Sequence, residues 1–118
     1  MTLADTSVWV EHLRHGVPEF EKLLRAGEVA VHPFVAGELA LGHLLRRDEI
    51  LRLLDALPQT LLATHTEVLA LVRERRLSGS GLGYVDAHLL ASALLSGCPI
   101  LTRDRTLAAQ ARRLGILA

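Results

Sequence analysis

Apolar and polar residues follow one another in blocks along this chain, and the blocks predict short strands alternating with helices. The strongest pattern runs from Gly83 to Asp104. Within it, Val85 to Ser96 is apolar almost all round, which is typical of a helix that is buried on most sides. Gly97 ends that helix, and Ile100 to Thr102 then predicts a short strand. A further helix is expected from Leu107 to Leu114.

The remaining elements are predicted from the same periodicities. Strands are expected at Thr2–Ala4, Val29–Val31, Thr60–Ala63 and, at an edge, Gly115–Leu117. Helices are expected at Val8–Leu13, Glu19–Arg25, Phe34–Leu45, Ile50–Leu57 and Thr64–Leu77. Strands that alternate with helices through short connections form a parallel sheet covered by helices. We therefore expect one α/β domain over residues 1–118, a three-layer α/β/α sandwich around a mainly parallel sheet.

Composition narrows the class of protein. Half of the 118 residues are apolar and only 3% are aromatic, so the core must be mainly aliphatic. No apolar run reaches the ~20 residues that a membrane-spanning helix needs, so we expect no membrane partner. Cys98 is the only cysteine, which excludes an internal disulfide and is typical of the reducing cytoplasm. Thirteen basic and thirteen acidic residues balance, whereas most nucleic-acid binders are basic.

Four acidic residues stand where an α/β protein would use them. Asp5 directly follows the first strand, Asp104 follows the strand before the last helix, and Asp86 lies in the first turn of the apolar helix. The carboxyl ends of parallel strands share one edge of the sheet, which is where such folds bind ligands. Glu38 lies within the apolar helix Phe34–Leu45, where an unpaired carboxylate is costly unless a cation or several donors meet it.

Each of the four acids also has an ordinary structural explanation. Asp is favoured at helix N-caps and in first turns, which would account for Asp86 and Asp104. Asp5 suits an Asx-turn, with Ser7 as the N-cap of the following helix. Glu38 could lie on a solvent-exposed face. Neither set of explanations is decided by the residues alone.

Four clustered carboxylates predict a hard divalent cation, because they would otherwise repel one another. Oxygen ligands favour Mg²⁺ or Mn²⁺, and the six His residues lack the spacing of a zinc site. Such an ion activates water for attack on a phosphate ester. The chain has no glycine-rich phosphate loop with Lys, which disfavours NTP hydrolysis. A receiver domain and a haloacid-dehalogenase-like phosphatase are disfavoured by the single acid after the first strand, but another small Mg²⁺-dependent phosphatase remains an alternative.

Four motifs, in order along the chain, resemble those of PIN-domain ribonucleases, and in particular the VapC-type toxins of bacterial toxin–antitoxin pairs. They are LADTSVW at positions 3–9, GEL at 37–39, VDAHLLASA at 85–93 and LTRD at 101–104. The resemblance implies a PIN-like sandwich. It also implies a metal-binding and catalytic set of four acids with two supporting hydroxyl residues, namely Asp5, Glu38, Asp86 and Asp104 with Thr6 and Thr102.

The same resemblance implies an activity and partners. The protein would be a Mg²⁺- or Mn²⁺-dependent endoribonuclease that cuts structured RNA, such as tRNA or rRNA loops, with metal-activated water. It would be a cytoplasmic homodimer silenced by a cognate antitoxin. Arg103, Arg105 and Arg112 are candidate RNA contacts. Two alternatives remain: a non-catalytic PIN-like module that binds RNA or a partner, and a PIN ribonuclease in RNA maturation.

In such toxins the antitoxin lies in a groove near the acids. We predict that the apolar face of Ile50–Leu57, together with Trp9 and Leu13, helps to line this groove. The reason is that these helices carry more apolar residues than one small core requires. On this interpretation Leu54→Asp should weaken antitoxin binding.

Overall fold

Three short strands and seven helices make up the fold, which a computed structural model describes for residues 1–118. The strands are β1 Thr2–Ala4, β2 Val29–Ala30 and β3 Ile100–Leu101. The helices are α1 Thr6–His15, α2 Pro18–Arg25, α3 Pro33–Leu41, α4 Arg47–Ala56, α5 His65–Glu74, α6 Tyr84–Ser96 and α7 Arg105–Arg113. None of these helices has the length and apolar character that a membrane crossing requires.

The strands form one parallel sheet in the order β2-β1-β3. Strand β1 is therefore central, with Leu3 paired to Ala30 on one side and to Ile100 on the other. Asp5, which directly follows β1, therefore lies at the middle of the sheet edge where ligands were predicted to bind. Every strand residue is buried except Thr2 and Leu101, which are partly buried, as expected for a sheet covered on both faces.

The strand order puts helices on both faces of the sheet. From β1 the chain moves outward through β2 to a parallel bridge between Val31 and Gln59, then crosses to β3 and on to a bridge between Ile100 and Leu117. Because parallel crossovers are right-handed, α1–α4 cover one face and α5–α7 cover the other. The predicted three-layer sandwich is confirmed. The connections after β1 and β3 leave toward opposite faces, which opens a crevice between the carboxyl ends of these two strands.

The core is aliphatic, as the composition predicted, with one aromatic pair inside it. Twenty buried residues form a single cluster that joins all three strands to α1–α4, α6 and α7. The rings of Trp9 and Phe20 meet edge to face, with 4.8 Å between their centroids, and neither is exposed. Full burial of each such side chain contributes about 1.5–3 kcal/mol, so this pair fixes α1 against α2.

Three predicted elements are wrong in extent or kind. The strand expected at Thr60–Ala63 does not form, and Leu61 and Leu62 are more than half exposed, because this apolar run has no neighbouring strand to pair with beyond the bridge at Gln59. The helix expected over Phe34–Leu45 ends at Leu41, where Gly42 takes an extended conformation. The edge strand at the C-terminal end is reduced to the single bridge at Leu117.

Two predicted helix ends, one based on a glycine and one on a capping box, are accurate. Helix α6 ends at Gly97, whose φ of 67° is the left-handed conformation that glycine adopts without strain. Helix α5 begins with the expected capping box, in which Thr64 and Glu67 each bond to the other's backbone N–H. Local sequence signals therefore fix where these two helices stop and start.

Candidate active site

Asp5 lies at the carboxyl end of β1 and has both carboxylate oxygens fixed by hydrogen bonds. Its Oδ1 accepts from the Ser7 hydroxyl at 2.6 Å and from the Val8 amide at 3.2 Å, and its Oδ2 accepts from the Thr102 hydroxyl at 2.5 Å. Only 5% of Asp5 is exposed. Asp5, and not Ser7 as predicted, is thus the N-cap of α1. The sequence pattern of a polar residue before a helix did not distinguish the two.

A second carboxylate caps a helix on the other side of the crevice. Asp104 is the N-cap of α7, and its Oδ1 accepts from the Leu107 amide at 2.8 Å. The capping explanation for Asp104 is therefore correct. Capping uses only one lone pair of one oxygen, so the exposed carboxylate still has acceptor positions for a ligand.

Two hydroxyl groups tie the loops after β1 and β3 together. The Thr102 hydroxyl donates to Asp5 and accepts from the Asp104 amide at 2.9 Å. The Ser7 hydroxyl likewise donates to Asp5 and accepts from the Arg103 amide at 2.9 Å. The role of Ser7 as a bridge across the crevice was missed, because nothing local in the sequence pairs it with a residue 96 positions away.

Glu38 lies on α3 and is exposed to solvent, so the expectation of a carboxylate on a buried helix face is wrong. The apolar composition of α3 suggested burial on all sides, but Phe34, Gly37 and Leu41 are also exposed, and this side of the helix has no covering element. The Thr6 hydroxyl donates to Glu38 Oε1 at 2.7 Å. This bond directs Glu38 toward the start of α1, next to Asp5.

Asp86 is the one acid of the four that no hydrogen bond accounts for. It is half-buried in the first turn of α6, a helix that has Gly83 at its N-cap and no side-chain cap. Burial, followed by the charges of Asp104, Asp5 and Glu38 in that order of importance, raises its pKa to about 6. Asp86 therefore experiences the negative charge of the other three acids, and the four carboxylates share one patch at the crevice.

The acidic patch has the kinds of ligand that a divalent cation prefers. Its side chains, however, are too far apart to coordinate one ion together in this structure. None of the four acids forms a salt bridge with a base. No three Asp, Glu, His or Cys side chains lie close enough together to hold a metal ion. The donors are carboxylate and hydroxyl oxygens, which Mg²⁺ and Mn²⁺ prefer. The four acids therefore fit such an ion in kind, and binding would require them to draw closer.

Comparison with known proteins agrees with this fold and motif order. Residues 2–113 match the family model of the PIN domain. The chain belongs to the PIN-domain family. This PIN domain is 50% identical over 117 residues to Ribonuclease VapC32 from two strains of Mycobacterium tuberculosis, which covers 98% of this chain and 94% of the relative. The VapC-type resemblance is thereby confirmed.

The fold is also similar to a solved structure. The crystal structure of PAE2754 from Pyrobaculum aerophilum superimposes with a TM-score of 0.64 at 25% sequence identity, over 92% of this chain and 78% of that one. At this level of identity the likeness supports the PIN fold rather than any detail of the site.

The three arginines predicted to contact RNA lie at different distances from the acidic patch. Arg103 and Arg105 flank Asp104 and are exposed, and Arg103 Nε also bonds to Glu11 Oε2 at 2.8 Å. Arg112 is exposed in the last turn of α7, about 12 Å along the helix from Asp104. Only the first two therefore border the crevice.

The sequence analysis missed a set of histidines near the starts of α3, α5 and α6. His32 follows β2 and caps α3, with its Nδ1 accepting from the Phe34 amide at 2.9 Å. Burial, followed by the neighbouring His88, lowers the pKa of His32 to about 4. Burial also lowers the pKa of His88, with His65 as the second cause. The sequence did contain a signal for the cap, because His32 directly precedes the proline that starts α3.

A cavity lies where the antitoxin groove was predicted, but two of the residues named for that groove lie deeper than expected. A cavity of about 290 Å³ opens between α1, α2 and α4, and its apolar lining includes Trp9, Leu13 and Ile50. Trp9 has no exposed surface and can form only the floor. Leu54 is 1% exposed and belongs to the core, so Leu54→Asp would unfold the protein rather than test binding. Leu53, 40% exposed, is the leucine with which α4 lines this cavity.

Proposed function

We propose that this PIN domain is a Mg²⁺- or Mn²⁺-dependent endoribonuclease that acts as the toxin of a type II toxin–antitoxin pair. The observation that carries the proposal is the patch formed by Asp5, Glu38, Asp86 and Asp104, in which the other three charges raise the pKa of Asp86. The 50% identity to a protein named Ribonuclease VapC32 supports the same reaction.

The four acids would hold the metal, which when bound supplies an activated water and stabilises negative charge on the phosphodiester. The chain's own contribution is to orient these acids. Hydrogen bonds to both oxygens of Asp5 fix its plane, and the Thr6 hydroxyl fixes one oxygen of Glu38. Asp86, with a pKa of about 6, is mostly ionised at neutral pH and is available as a ligand.

The substrate is proposed to be structured RNA, such as a tRNA or rRNA loop. RNA phosphates are repelled by four carboxylates, so the scissile phosphate approaches only when the metal offsets their charge. Arg103 and Arg105 flank the patch and are exposed, which supports a role in binding the neighbouring phosphates. Arg112 is proposed to contact RNA further along the strand.

The proposed partners follow from the VapC-type family. A cognate antitoxin is proposed to dock in the groove between α1, α2 and α4, and the exposed Leu53 with Leu13 and Ile50 supports an apolar contact there. A second cavity of about 590 Å³ reaches from this region to Glu38, which would bring an antitoxin segment to the acids. The toxin is proposed to be a cytoplasmic homodimer.

Cleavage of total RNA by the purified protein tests the proposal. We expect discrete fragments with Mg²⁺ or Mn²⁺ that disappear with EDTA and with Asp5→Asn, since Asn retains the helix cap but removes the charge. Asp55→Asn is the matched control, because Asp55 is exposed on α4 outside the patch.

Four results would contradict the proposal. Equal cleavage by Asp5→Asn would show that the activity does not come from this site. RNA binding without cleavage by the folded, metal-loaded protein would favour the non-catalytic module. Turnover of a chromogenic phosphomonoester without RNA cleavage would favour the phosphatase. Absence of any effect on growth when the protein is produced without its antitoxin would favour a role in RNA maturation.

A further inference from the structure

The few aromatic side chains of this protein are divided sharply between its core and one place on its surface. The chain has only four Phe, Trp and Tyr residues. Trp9 and Phe20 are fully buried, whereas Phe34 is 40% exposed and Tyr84 is 48% exposed. Both exposed rings pack against the buried ring of His88, with centroid distances of 4.9 Å and 4.6 Å. We call Phe34, His88 and Tyr84 the aromatic platform.

The aromatic platform adjoins the acidic patch through α3. On α3, Phe34 precedes Glu38 by four residues, which places the two on the same side of the helix and about 6 Å apart along its axis. On α6, Tyr84 and His88 lie two residues before and after Asp86, a spacing that puts them on a different side of the helix from Asp86. A nucleotide whose phosphate lies at the acids therefore has its base, or that of its neighbour, within reach of these rings.

The rings of the platform are held in fixed orientations. Phe34 and Tyr84 meet His88 edge to face, at 69° and 86° between ring planes. The Tyr84 hydroxyl hydrogen-bonds to Nδ1 of His65 at 2.5 Å, and the ring of His32 packs edge to face on Phe34. Because both exposed rings are already restrained, a flat ligand that stacks on them costs little further side-chain entropy.

We propose that Phe34 and Tyr84 of the aromatic platform stack a nucleobase next to the scissile phosphate, and so contribute to which nucleotide this PIN domain binds there. The inference rests on the proposed ribonuclease function and adds two residues that hold a base of its substrate. Unpaired bases of RNA are available for stacking on aromatic side chains, whereas bases within a duplex are not. The platform would thus act on specificity and affinity rather than on the bond-breaking step.

A nucleobase suits this surface better than a protein segment does. The cavities that suit an apolar protein segment have leucine as most of their apolar lining and lie on the α1, α2 and α4 side of the crevice. The platform instead presents two aromatic rings with polar groups at their rims, the Tyr84 hydroxyl and the His65 imidazole. Such amphipathic flat surfaces match a base, which has a π-face and polar edges.

Binding of a single-stranded oligoribonucleotide that contains 2-aminopurine tests the inference. All variants carry Asp5→Asn, so that no cleavage interferes, and are measured with Mg²⁺. We expect the fluorescence of the base to be quenched on binding. Tyr84→Leu and Phe34→Leu should each weaken binding about tenfold and reduce quenching, whereas Tyr84→Phe should retain most of both, since it keeps the ring. Leu69→Ala, an exposed change on α5, is the control.

Several outcomes would overturn the inference. The first is absence of quenching in the folded Asp5→Asn protein with Phe34 and Tyr84 intact. The second is unchanged affinity of both leucine variants when circular dichroism shows them folded. The third is equal affinity for a duplex of the same sequence. The fourth is a loss of antitoxin affinity alone, which would make the platform a protein-binding surface.

The results separate this inference from the proposed function. If the unsubstituted protein cuts RNA, but Tyr84→Leu and Phe34→Leu bind RNA as their parent does and cut it as fast in a chain that retains Asp5, the platform is wrong and the ribonuclease stands. If the protein stacks single-stranded RNA but never cuts it under any metal condition, the platform stands and the ribonuclease is wrong.

Discussion

The two sides of the acidic patch are built in different ways. On the strand side, Asp5 and Asp104 follow β1 and β3, cap α1 and α7, and accept hydrogen bonds from backbone amides. On the helix side, Glu38 and Asp86 lie within α3 and α6 and cap nothing. Glu38 accepts one hydrogen bond from a hydroxyl group. Asp86 takes no part in capping α6, which has no side-chain cap.

This difference separates the structural and chemical roles of the carboxylates. The strand-side acids stabilise the fold through caps, so their positions are fixed before any ligand binds. The helix-side acids are not required as helix caps, so their negative charge has no such structural role. Burial and the neighbouring carboxylates raise the pKa of Asp86, which means that they destabilise its ionised form. We infer that the strand side sets the geometry of the patch and that the helix side adjusts to a bound cation.

The largest predicted effect is on the strand side. Asp5→Ala removes the cap of α1 and the acceptor for two hydroxyl groups, so we expect loss of cleavage together with a free energy of unfolding lower by about 2 kcal/mol. Asp5→Asn should lose cleavage at much smaller cost in stability. Urea denaturation and RNA cleavage measure the two effects. If the urea midpoint of Asp5→Ala were unchanged, the strand-side acids would not stabilise the fold as we infer.

On the helix side the prediction for stability has the opposite sign. The pKa of Asp86 is about 6 in the folded protein against 3.8 ordinarily, so the folded state binds this proton more tightly. The stability of the metal-free protein should therefore fall as the pH rises from about 4 to about 6, as this carboxyl ionises. Asp86→Asn, which cannot ionise, should abolish cleavage yet raise the melting temperature at pH 7 in EDTA.

Thermal unfolding at two pH values checks this sign. The gain from Asp86→Asn should disappear below about pH 4, where the carboxyl is protonated in both states. Mg²⁺ should raise the melting temperature of the unsubstituted protein at pH 7 more than that of the variant. A variant that is less stable than the parent at both pH values would mean that the patch does not repel Asp86.

The smallest effect should come from the supporting threonines. Thr102→Val breaks bonds to Asp5 and Asp104 across the crevice and should cost about 1 kcal/mol of stability and a several-fold loss of cleavage. Thr6→Val breaks only the exposed bond to Glu38 and should cost less. Thr66→Val on the surface of α5 is the matched control. If Thr102→Val and Thr6→Val lowered the free energy of unfolding equally, the difference between the strand side and the helix side would be contradicted.

Much of this fold can be predicted from the sequence, because many of its features depend on interactions between residues that are close together in the chain. The blocks of apolar residues, the glycine that ends α6 and the capping box of α5 depend on neighbours within about four positions, and these predictions are confirmed. The order of the motifs was sufficient for the PIN family, because it is itself a property of the sequence. The parallel sheet followed from the alternation of strands and helices.

Only the tertiary structure decided what covers each face. Periodicity marks a side of a helix as apolar but does not say whether another element packs there, which is why Glu38 was wrongly expected to be buried and why Leu54 is core while Leu53 is exposed. Thr60–Ala63 has the apolar residues of a strand but no strand beside it. These outcomes depend on long-range packing, which no local pattern contains.

The sequence by itself determined which residues can carry the chemistry, since four acids, two threonines and their motif order are all visible in it. The fold alone brought them together: the Thr102 hydroxyl reaches Asp5 across 97 positions, and Phe34 and Tyr84 meet on His88 from separate helices. The physical reason is that parallel strands place their carboxyl ends at one edge, whatever the length of chain between them.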